Sequence, residues 1–241
     1  IKVMDSFLKV FSPKEIISSK YYKIISETKP MILGPKPYLM DWTFIFEQIV
    51  LWKERNKRIA TILDIGCGNS MFHIFLEKYC KHGIVGIDRT DSTIEYEKLE
   101  TLGHTMVNAI DICCDFIEQG NQYFNENADI VFWNSSIEHN SFENMKKAIK
   151  ASMQALKKDG VFISTWAYGI TTHWKEDAIA TILSELDAEK IFNLKWISKP
   201  NFGQIVNEYK DNILDLNDWH TKRFGHSNID YVHAGSVIYK K

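Results

Sequence analysis

The stretch that decides the fold is Ile59–Ser70, which reads IATILDIGCGNS. Its first half is apolar and rich in β-branched residues, which is typical of a parallel strand buried on both faces. Gly66 and Gly68 follow, and glycines let the backbone turn sharply and approach a ligand closely. Strand and glycine turn, with a helix after them, predict the first unit of a doubly wound nucleotide-binding sheet. The apolar residues that indicate this helix by their spacing are Phe72, Phe75, Leu76 and Tyr79.

The glycine loop departs from the fingerprint of dinucleotide-binding proteins. That fingerprint needs a third glycine three positions after the second, and Met71 stands there instead. Asp64 ends the strand before the first glycine, where a carboxylate repels a pyrophosphate and attracts a cation. The D-x-G-x-G pattern of Asp64, Gly66 and Gly68 resembles motif I of the class I S-adenosylmethionine-dependent methyltransferases. This resemblance implies a ligand that carries an ammonium and a sulfonium group and no phosphate.

Length and composition indicate one α/β domain with a sizeable core. The chain has 241 residues and a formal net charge of -2, so its overall charge does not point to nucleic-acid binding. The 4 cysteines lack C-x-x-C spacing and do not cluster with histidines, so we predict no zinc site and no disulfides. We therefore expect reduced thiols, a cytoplasmic location and, without a run of about eighteen apolar residues, no membrane contact. The composition gives no prediction of the oligomeric state.

Residues 1–58 precede the first strand and are predicted to form a helical extension. The segment 5–28 looks helical, the prolines and glycine of 29–42 exclude regular structure there, and 42–56 reads as a helix again. Methyltransferases of the type that this sequence resembles commonly carry such an extension over the substrate side. Plain packing against the domain is the alternative. The methyltransferase domain itself is expected over 59–241.

A second strand with Ile84, Val85 and Ile87 is predicted to end at Asp88, which follows Gly68 by 20 residues. An acidic residue at this distance accepts hydrogen bonds from the ribose hydroxyls of a bound nucleoside. The alternative is that Asp88 caps the next helix. Arg89 follows directly and is included in the predicted cofactor site.

The third strand is predicted within 104–113 and is closed by Asp111. The family resemblance implies that Asp111 accepts a hydrogen bond from the adenine amino group. It also implies that Ile112 offers its backbone N–H to a ring nitrogen. Asp115 is the alternative for the acidic role, because one sequence does not fix the register of this loop.

The fourth strand opens the segment 128–140, ADIVFWNSSIEHN, and resembles motif IV of the same superfamily. The resemblance implies that Asn134 and Ser135 hold the methionine end of the cofactor, while Glu138 and His139 face the acceptor. A neutral imidazole can take the proton that an acceptor hydroxyl loses, so His139 is the candidate catalytic base. The alternative is that His139 only braces the loop.

The remaining strands complete the expected sheet. A helix is predicted over 142–158, and 155–165 resembles the family's L-K-P-G-G segment with a turn at Asp159-Gly160 and the fifth strand after it. Strands six and seven are expected at 191–198 and 235–239. The predicted fold is thus a Rossmann-like, doubly wound, mostly parallel seven-stranded sheet with an antiparallel last strand.

The acceptor site is expected beyond the fifth strand and in the segment 199–231, which is too long for a hairpin loop. We interpret this segment as a substrate-binding insertion whose histidine and arginine residues can hold a phosphate or a carboxylate. Solvated surface is the alternative for each of them. Besides Glu138, the candidate acceptor-binding residues are Trp166, Tyr168, His173, His220 and Arg223.

The motifs together predict a methyltransferase that uses S-adenosylmethionine, releases S-adenosylhomocysteine, and methylates an oxygen, less often a nitrogen, of a small polar metabolite. A sugar or sugar nucleotide is the suggested acceptor. The segment Asn134–Ile137 is not an N-P-P-Y tetrapeptide, which disfavours amide and nucleobase acceptors. The alternatives are a non-catalytic relative that partners another protein and, opposed by Met71 and Asp64, a nicotinamide-dependent oxidoreductase. No metal constellation is evident, and a Mg²⁺ ion held by Asp/His pairs near Glu138, His139 and the segment 199–231 stays open as an alternative.

Overall fold

A computed structural model of the chain contains one eight-stranded sheet with flanking helices. It describes residues 5–27, 36–67, 72, 75–76, 79, 81–89, 109–113, 115–169, 178–188, 194–198, 204, 207–208 and 231–240. The strands are β1 Ser6–Val10, β2 Thr61–Ile65, β3 Gly83–Asp88, β4 Ala109–Cys113, β5 Ala128–Asn134, β6 Leu156–Gly169, β7 Leu194–Ser198 and β8 Tyr231–Tyr239. The helices are α1 Pro13–Ile17, α2 Lys20–Ser26, α3 Lys36–Asn56, α4 Phe116–Phe124, α5 Phe142–Ala155 and α6 Ala178–Ala188, with a 3₁₀ turn at Ile137–His139.

The strand order is β4-β3-β2-β5-β6-β8-β1-β7, and all strands run parallel except β8, which is antiparallel to both of its neighbours. The predicted mostly parallel sheet with an antiparallel last strand is confirmed, and β1 adds an eighth strand to it. The direction of winding reverses at β2, which lies between β3 and β5. In open α/β sheets this reversal creates a ligand crevice at the carboxyl ends of the strands.

The prediction that the whole of 5–28 is helical is wrong, because Ser6–Val10 forms β1 between β8 and β7. Buried and half-buried residues alternate along β1, which is the period of a strand. The helical part begins only after Ser12, whose hydroxyl accepts a hydrogen bond from the Glu15 N–H. The boundary at residue 58, between the predicted N-terminal extension and the domain that follows it, stays a prediction.

Helix α3 is longer than expected, since it begins at Lys36 and not at residue 42. Pro37 lies in its first turn, where the backbone N–H groups have no partner within the helix, so proline is tolerated there. The buried face of α3 is aromatic. Trp42 stacks on Phe72 with ring centroids 4.7 Å apart, and Phe46 meets Phe75 edge to face at 5.1 Å. These rings hold α3 against the segment that follows the glycine turn.

A buried carboxylate fixes the amino ends of the central strands. Asp129 of β5 receives both arms of the Arg58 guanidinium, at 2.7 and 3.0 Å, and the Thr61 N–H of β2 at 2.9 Å. Lys157 also donates to Asp129, at 3.3 Å. It lies after helix α5, which ends at Ala155, earlier than predicted. Burial acts to raise the pKa of Asp129, but these donors outweigh it and hold the pKa below its ordinary value. The cluster lies at the sheet edge opposite to the crevice.

Gly235 of β8 is required by packing. A Cβ at this position would lie 2.6 Å from Cε1 of Phe44 and 2.8 Å from Cζ of Phe11. These two buried rings pack on each other with centroids 4.8 Å apart, so neither can retreat easily. Gly83 of β3 differs, because the nearest atom to its Cβ would be the Ala60 carbonyl oxygen at 4.0 Å.

We predict that Gly235→Ala lowers the free energy of unfolding by about 1–3 kcal/mol through overpacking. Gly83→Ala is the matched control in another strand and should change it by less than about 1 kcal/mol. Urea denaturation followed by circular dichroism measures both values. Equal losses in the two variants would contradict the packing argument.

Candidate cofactor and acceptor site

A cavity of about 270 Å³ lies where β2, β3 and β5 end. This is the crevice that the strand order predicts. Five of the residues predicted from the sequence line it together, and the alternative residue Asp115 joins them. The five are Gly66, Asp88, Arg89, Ser135 and His139.

The glycine turn forms the centre of the cavity wall. Gly66 has a φ of +67°, and its Cβ would lie 2.8 Å from Cβ and Oγ of Ser136, so only glycine fits. The Gly66 N–H donates to the Ile87 carbonyl at 2.7 Å, and the Ser136 hydroxyl donates to the Ile65 carbonyl at 3.0 Å. The described residues after the turn, Phe72 among them, have helical conformation. Bare backbone here lets a ligand approach closely.

Two carboxylates lie on the β3 and β4 side of the turn. Asp88 ends β3 and pairs with Cys113, so Asp111 lies two residues inside β4 opposite Gly86. Asp115 follows the strand, caps α4 by accepting from the Ile117 N–H at 3.0 Å, and lines the cavity. The register thus brings Asp88 and Asp115 together. The roles of Asp111 and of Ile112, which pairs with Ile87, stay predictions.

Other predicted residues lie on the central strands and do not line this cavity. Asp64 is buried in β2 between β3 and β5, Asn134 ends β5, and its side-chain oxygen accepts from the Thr165 hydroxyl at 3.4 Å. Trp166 is buried in β6, and Tyr168 stands one residue before the end of that strand. Four candidates fall outside the described residues, as does most of the segment 199–231: Gly68, His173, His220 and Arg223.

The sequence analysis missed a buried polar group beside Ser135. The Ser135 hydroxyl donates to Oδ2 of Asp41 at 2.7 Å, and Nδ1 of His233 lies 2.9 and 3.0 Å from the two Asp41 oxygens. Asp41 comes from α3 and His233 from β8, and both are buried. Asp41 is the single charged residue in the apolar run Leu39–Phe46, and this was the available signal.

Glu138 lies in the 3₁₀ turn between Ser135 and the exposed His139. It is 6% exposed and does not line the cavity, and within the described part of the chain its Oε2 has no hydrogen-bond partner. Burial and the charge of Asp41 raise the pKa of Glu138 to about 8, against the effect of backbone hydrogen bonds. Glu138 is therefore protonated at neutral pH, and its predicted contact with an acceptor stays a prediction.

Among the described residues, no three His, Cys, Asp or Glu side chains are grouped so that they could hold a metal ion. No helix within the described ranges is long and apolar enough to cross a membrane.

Comparisons with solved structures place this fold among known ones. The [4+2]-cyclase SpnF superposes with a TM-score of 0.53 at 15% identity, over 86% of this chain and 83% of the other. A second similar structure is a Haemonchus contortus phosphoethanolamine N-methyltransferase 2, solved with phosphomonomethylethanolamine and S-adenosylhomocysteine. It superposes with a TM-score of 0.54 at 14% identity, over 96% of this chain and 60% of the other. A Galdieria sulphuraria protein assigned as a sarcosine dimethylglycine methyltransferase superposes with a TM-score of 0.51 at 13% identity, over 92% of this chain and 97% of the other.

Sequence comparison supplies the family. No curated protein matches the chain at a significant level. The family model described as a methyltransferase domain matches residues 56–220, which is more than half of the chain. The match spans the glycine turn, the two cavity carboxylates and the loop after β5. The chain therefore belongs to the methyltransferase domain family, and its expected place among the class I methyltransferases, with S-adenosylmethionine as cofactor, is confirmed.

Proposed function

We propose that this chain transfers a methyl group from S-adenosylmethionine to an oxygen, less often a nitrogen, of a small polar metabolite. The cavity at the strand ends carries the proposal, because it joins a tight glycine turn to carboxylates on one side and a polar loop on the other. On this proposal the enzyme works in the cytoplasm on a small acceptor and not on nucleic acid. The slightly negative net charge of -2 supports that exclusion.

The carboxylates suit the nucleoside end of the cofactor. Asp88 ends β3 and lines the cavity. It would accept hydrogen bonds from two ribose hydroxyls. Asp115 already accepts from the first turn of α4 and offers its remaining lone pairs to the exocyclic amino group of adenine. Gly66 lies between this side of the cavity and the β5 loop, so the methionine part would pass over the bare turn towards Ser135.

The loop after β5 suits the acceptor. The bound cofactor supplies a methyl group that its sulfonium has already activated for displacement, so the protein must mainly hold the acceptor in line. Positioning of this kind contributes up to about 7–11 kcal/mol to catalysis. His139 is exposed and lines the cavity, where its imidazole can take the proton of an acceptor hydroxyl. Aromatic and polar residues near the strand ends support a sugar or sugar nucleotide as acceptor.

We predict that the protein binds S-adenosylhomocysteine in titration calorimetry. Asp88→Ala should weaken this binding by about tenfold to a hundredfold, because a charged acceptor of two hydrogen bonds is lost. Asp5→Ala, which removes an exposed carboxylate paired with Lys195, is the control and should leave the affinity unchanged. Binding of a reduced nicotinamide dinucleotide in place of S-adenosylhomocysteine would overturn the proposed function.

We predict methyl transfer from radiolabelled S-adenosylmethionine to a member of a panel of sugar nucleotides, phosphorylated metabolites and small phenols. With the acceptor that is found, His139→Gln should lower kcat by about 10²–10⁴-fold and leave the affinity for S-adenosylhomocysteine unchanged if His139 is the base. A loss of cofactor affinity would show that His139 braces the loop. Activity on phenols alone would refute the sugar acceptor, and binding without any turnover would favour a non-catalytic partner protein.

We predict that stability falls as the pH rises from about 4.5 to about 8, because folded Glu138 keeps its proton and unfolded Glu138 loses it. The contribution is complete below the ordinary pKa of 4.5 and is lost as the pH passes the raised value of about 8. Glu138→Gln stays neutral and should remove this slope from urea denaturation over the same pH window. Glu143→Gln, an exposed change in α5, should keep the slope. An unchanged slope in Glu138→Gln would contradict the prediction.

A further inference from the structure

The contacts of Ser135 decide which kind of hydrogen bond it can make. Its hydroxyl carries one proton, and this proton is donated to Oδ2 of Asp41 over 2.7 Å. No donor in the described part of the chain bonds to the Ser135 hydroxyl oxygen. Ser135 lines the cavity, so its remaining lone pairs are available to a ligand there. In this state Ser135 is an acceptor and not a donor.

Asp41 also contacts a buried histidine. His233 Nδ1 lies 2.9 and 3.0 Å from the two Asp41 oxygens, and Asp41 is 0% exposed. With Asp41 as a carboxylate, Nδ1–H of His233 is the donor in this pair. Two donors, one from β8 and one from the loop after β5, thus meet on a carboxylate supplied by α3. The Ser135 hydroxyl therefore has a fixed direction.

The backbone of Ser135 is fixed as well. Its φ is +45°, in the left-handed region that residues with a side chain rarely adopt. Its N–H donates to the Thr165 carbonyl at 3.1 Å, which ties the loop to β6. Strained conformations of this kind persist where the surrounding structure over-determines them, and they cluster at ligand sites.

We infer that Asp41 and His233 are positioning residues that hold Ser135 as a hydrogen-bond acceptor for the ammonium group of the cofactor's methionine end. The inference rests on the proposed function and adds to it two residues that lie outside the motifs. A hydroxyl that donates to a carboxylate becomes a better acceptor, because the bonds polarise one another. The negative charge of Asp41 behind it favours a cation over a neutral donor. The place is also suitable, since Gly66 and Ser135 line the same cavity.

The test compares three ligands by titration calorimetry. S-adenosylhomocysteine carries the ammonium and the carboxylate, its decarboxylated aminopropyl analogue keeps the amine alone, and 5′-methylthioadenosine lacks both. Ser135→Ala and Asp41→Asn should each raise the dissociation constants of the first two ligands by at least about tenfold, and that of the third by less than about twofold. His233→Leu should behave like Asp41→Asn. His233→Asn should restore binding, because its amide N–H replaces the Nδ1 donor.

Ser164→Ala is the matched control, since it removes a buried hydroxyl that bonds Ser236 at 2.7 Å outside the cavity lining. It should leave all three affinities unchanged, and thermal unfolding confirms that each variant is folded before titration. Equal weakening of all three ligands, or no weakening of any, would overturn the inference and leave Asp41 as a structural link between α3 and β8. Weakening of S-adenosylhomocysteine alone would also overturn it by pointing to the carboxylate. A wild-type protein that binds none of the ligands would instead refute the proposed function.

Discussion

The close approach of Gly66 to Ser136 is the contact on which the site depends. There is no room for a Cβ between them, and the Ser136 hydroxyl is bonded to the Ile65 carbonyl that precedes the turn. The loops after β2 and β5 are therefore packed directly on each other. One wall of the cavity is bare backbone and the other is a strained polar loop, and neither can shift without the other. The two loops that line the cavity are joined in this way.

The features that were predictable from the sequence are local ones. The strand, glycine turn and helix around Gly66 follow from composition and spacing within a few residues, and the distance to Asp88 follows from one βαβ unit. Which of Asp111 and Asp115 lines the cavity was not predictable from the sequence, because the pairing between strands decides it. Only the pairing of Asp88 with Cys113 shows that Asp115 comes after the strand end and reaches the cavity.

The features that escaped prediction join distant parts of the chain. Asp41 and His233 are 192 residues apart, and neither belongs to a recognisable motif. Residues 6–10 form a segment too short for its hydrophobic pattern to distinguish a helix from a strand. Only their pairing with β7 and β8 identifies them as a strand. Long-range partners override weak local preference in both cases. The parts of the site contributed by the N-terminal segment and by β8 therefore could not be assigned without the structure.

The position of β1 has a consequence for biosynthesis. Its two neighbours in the sheet, β7 and β8, come last in chain order among the described strands, and β7 is attached to the described sheet through β1. The buried residues Leu8 and Val10 are thus synthesised long before their partner strands, the second of which ends at Tyr239. Such distant closure is slow and leaves apolar surface open meanwhile. Closure of β1 between β7 and β8 is therefore a late folding step that brings together segments far apart in the chain.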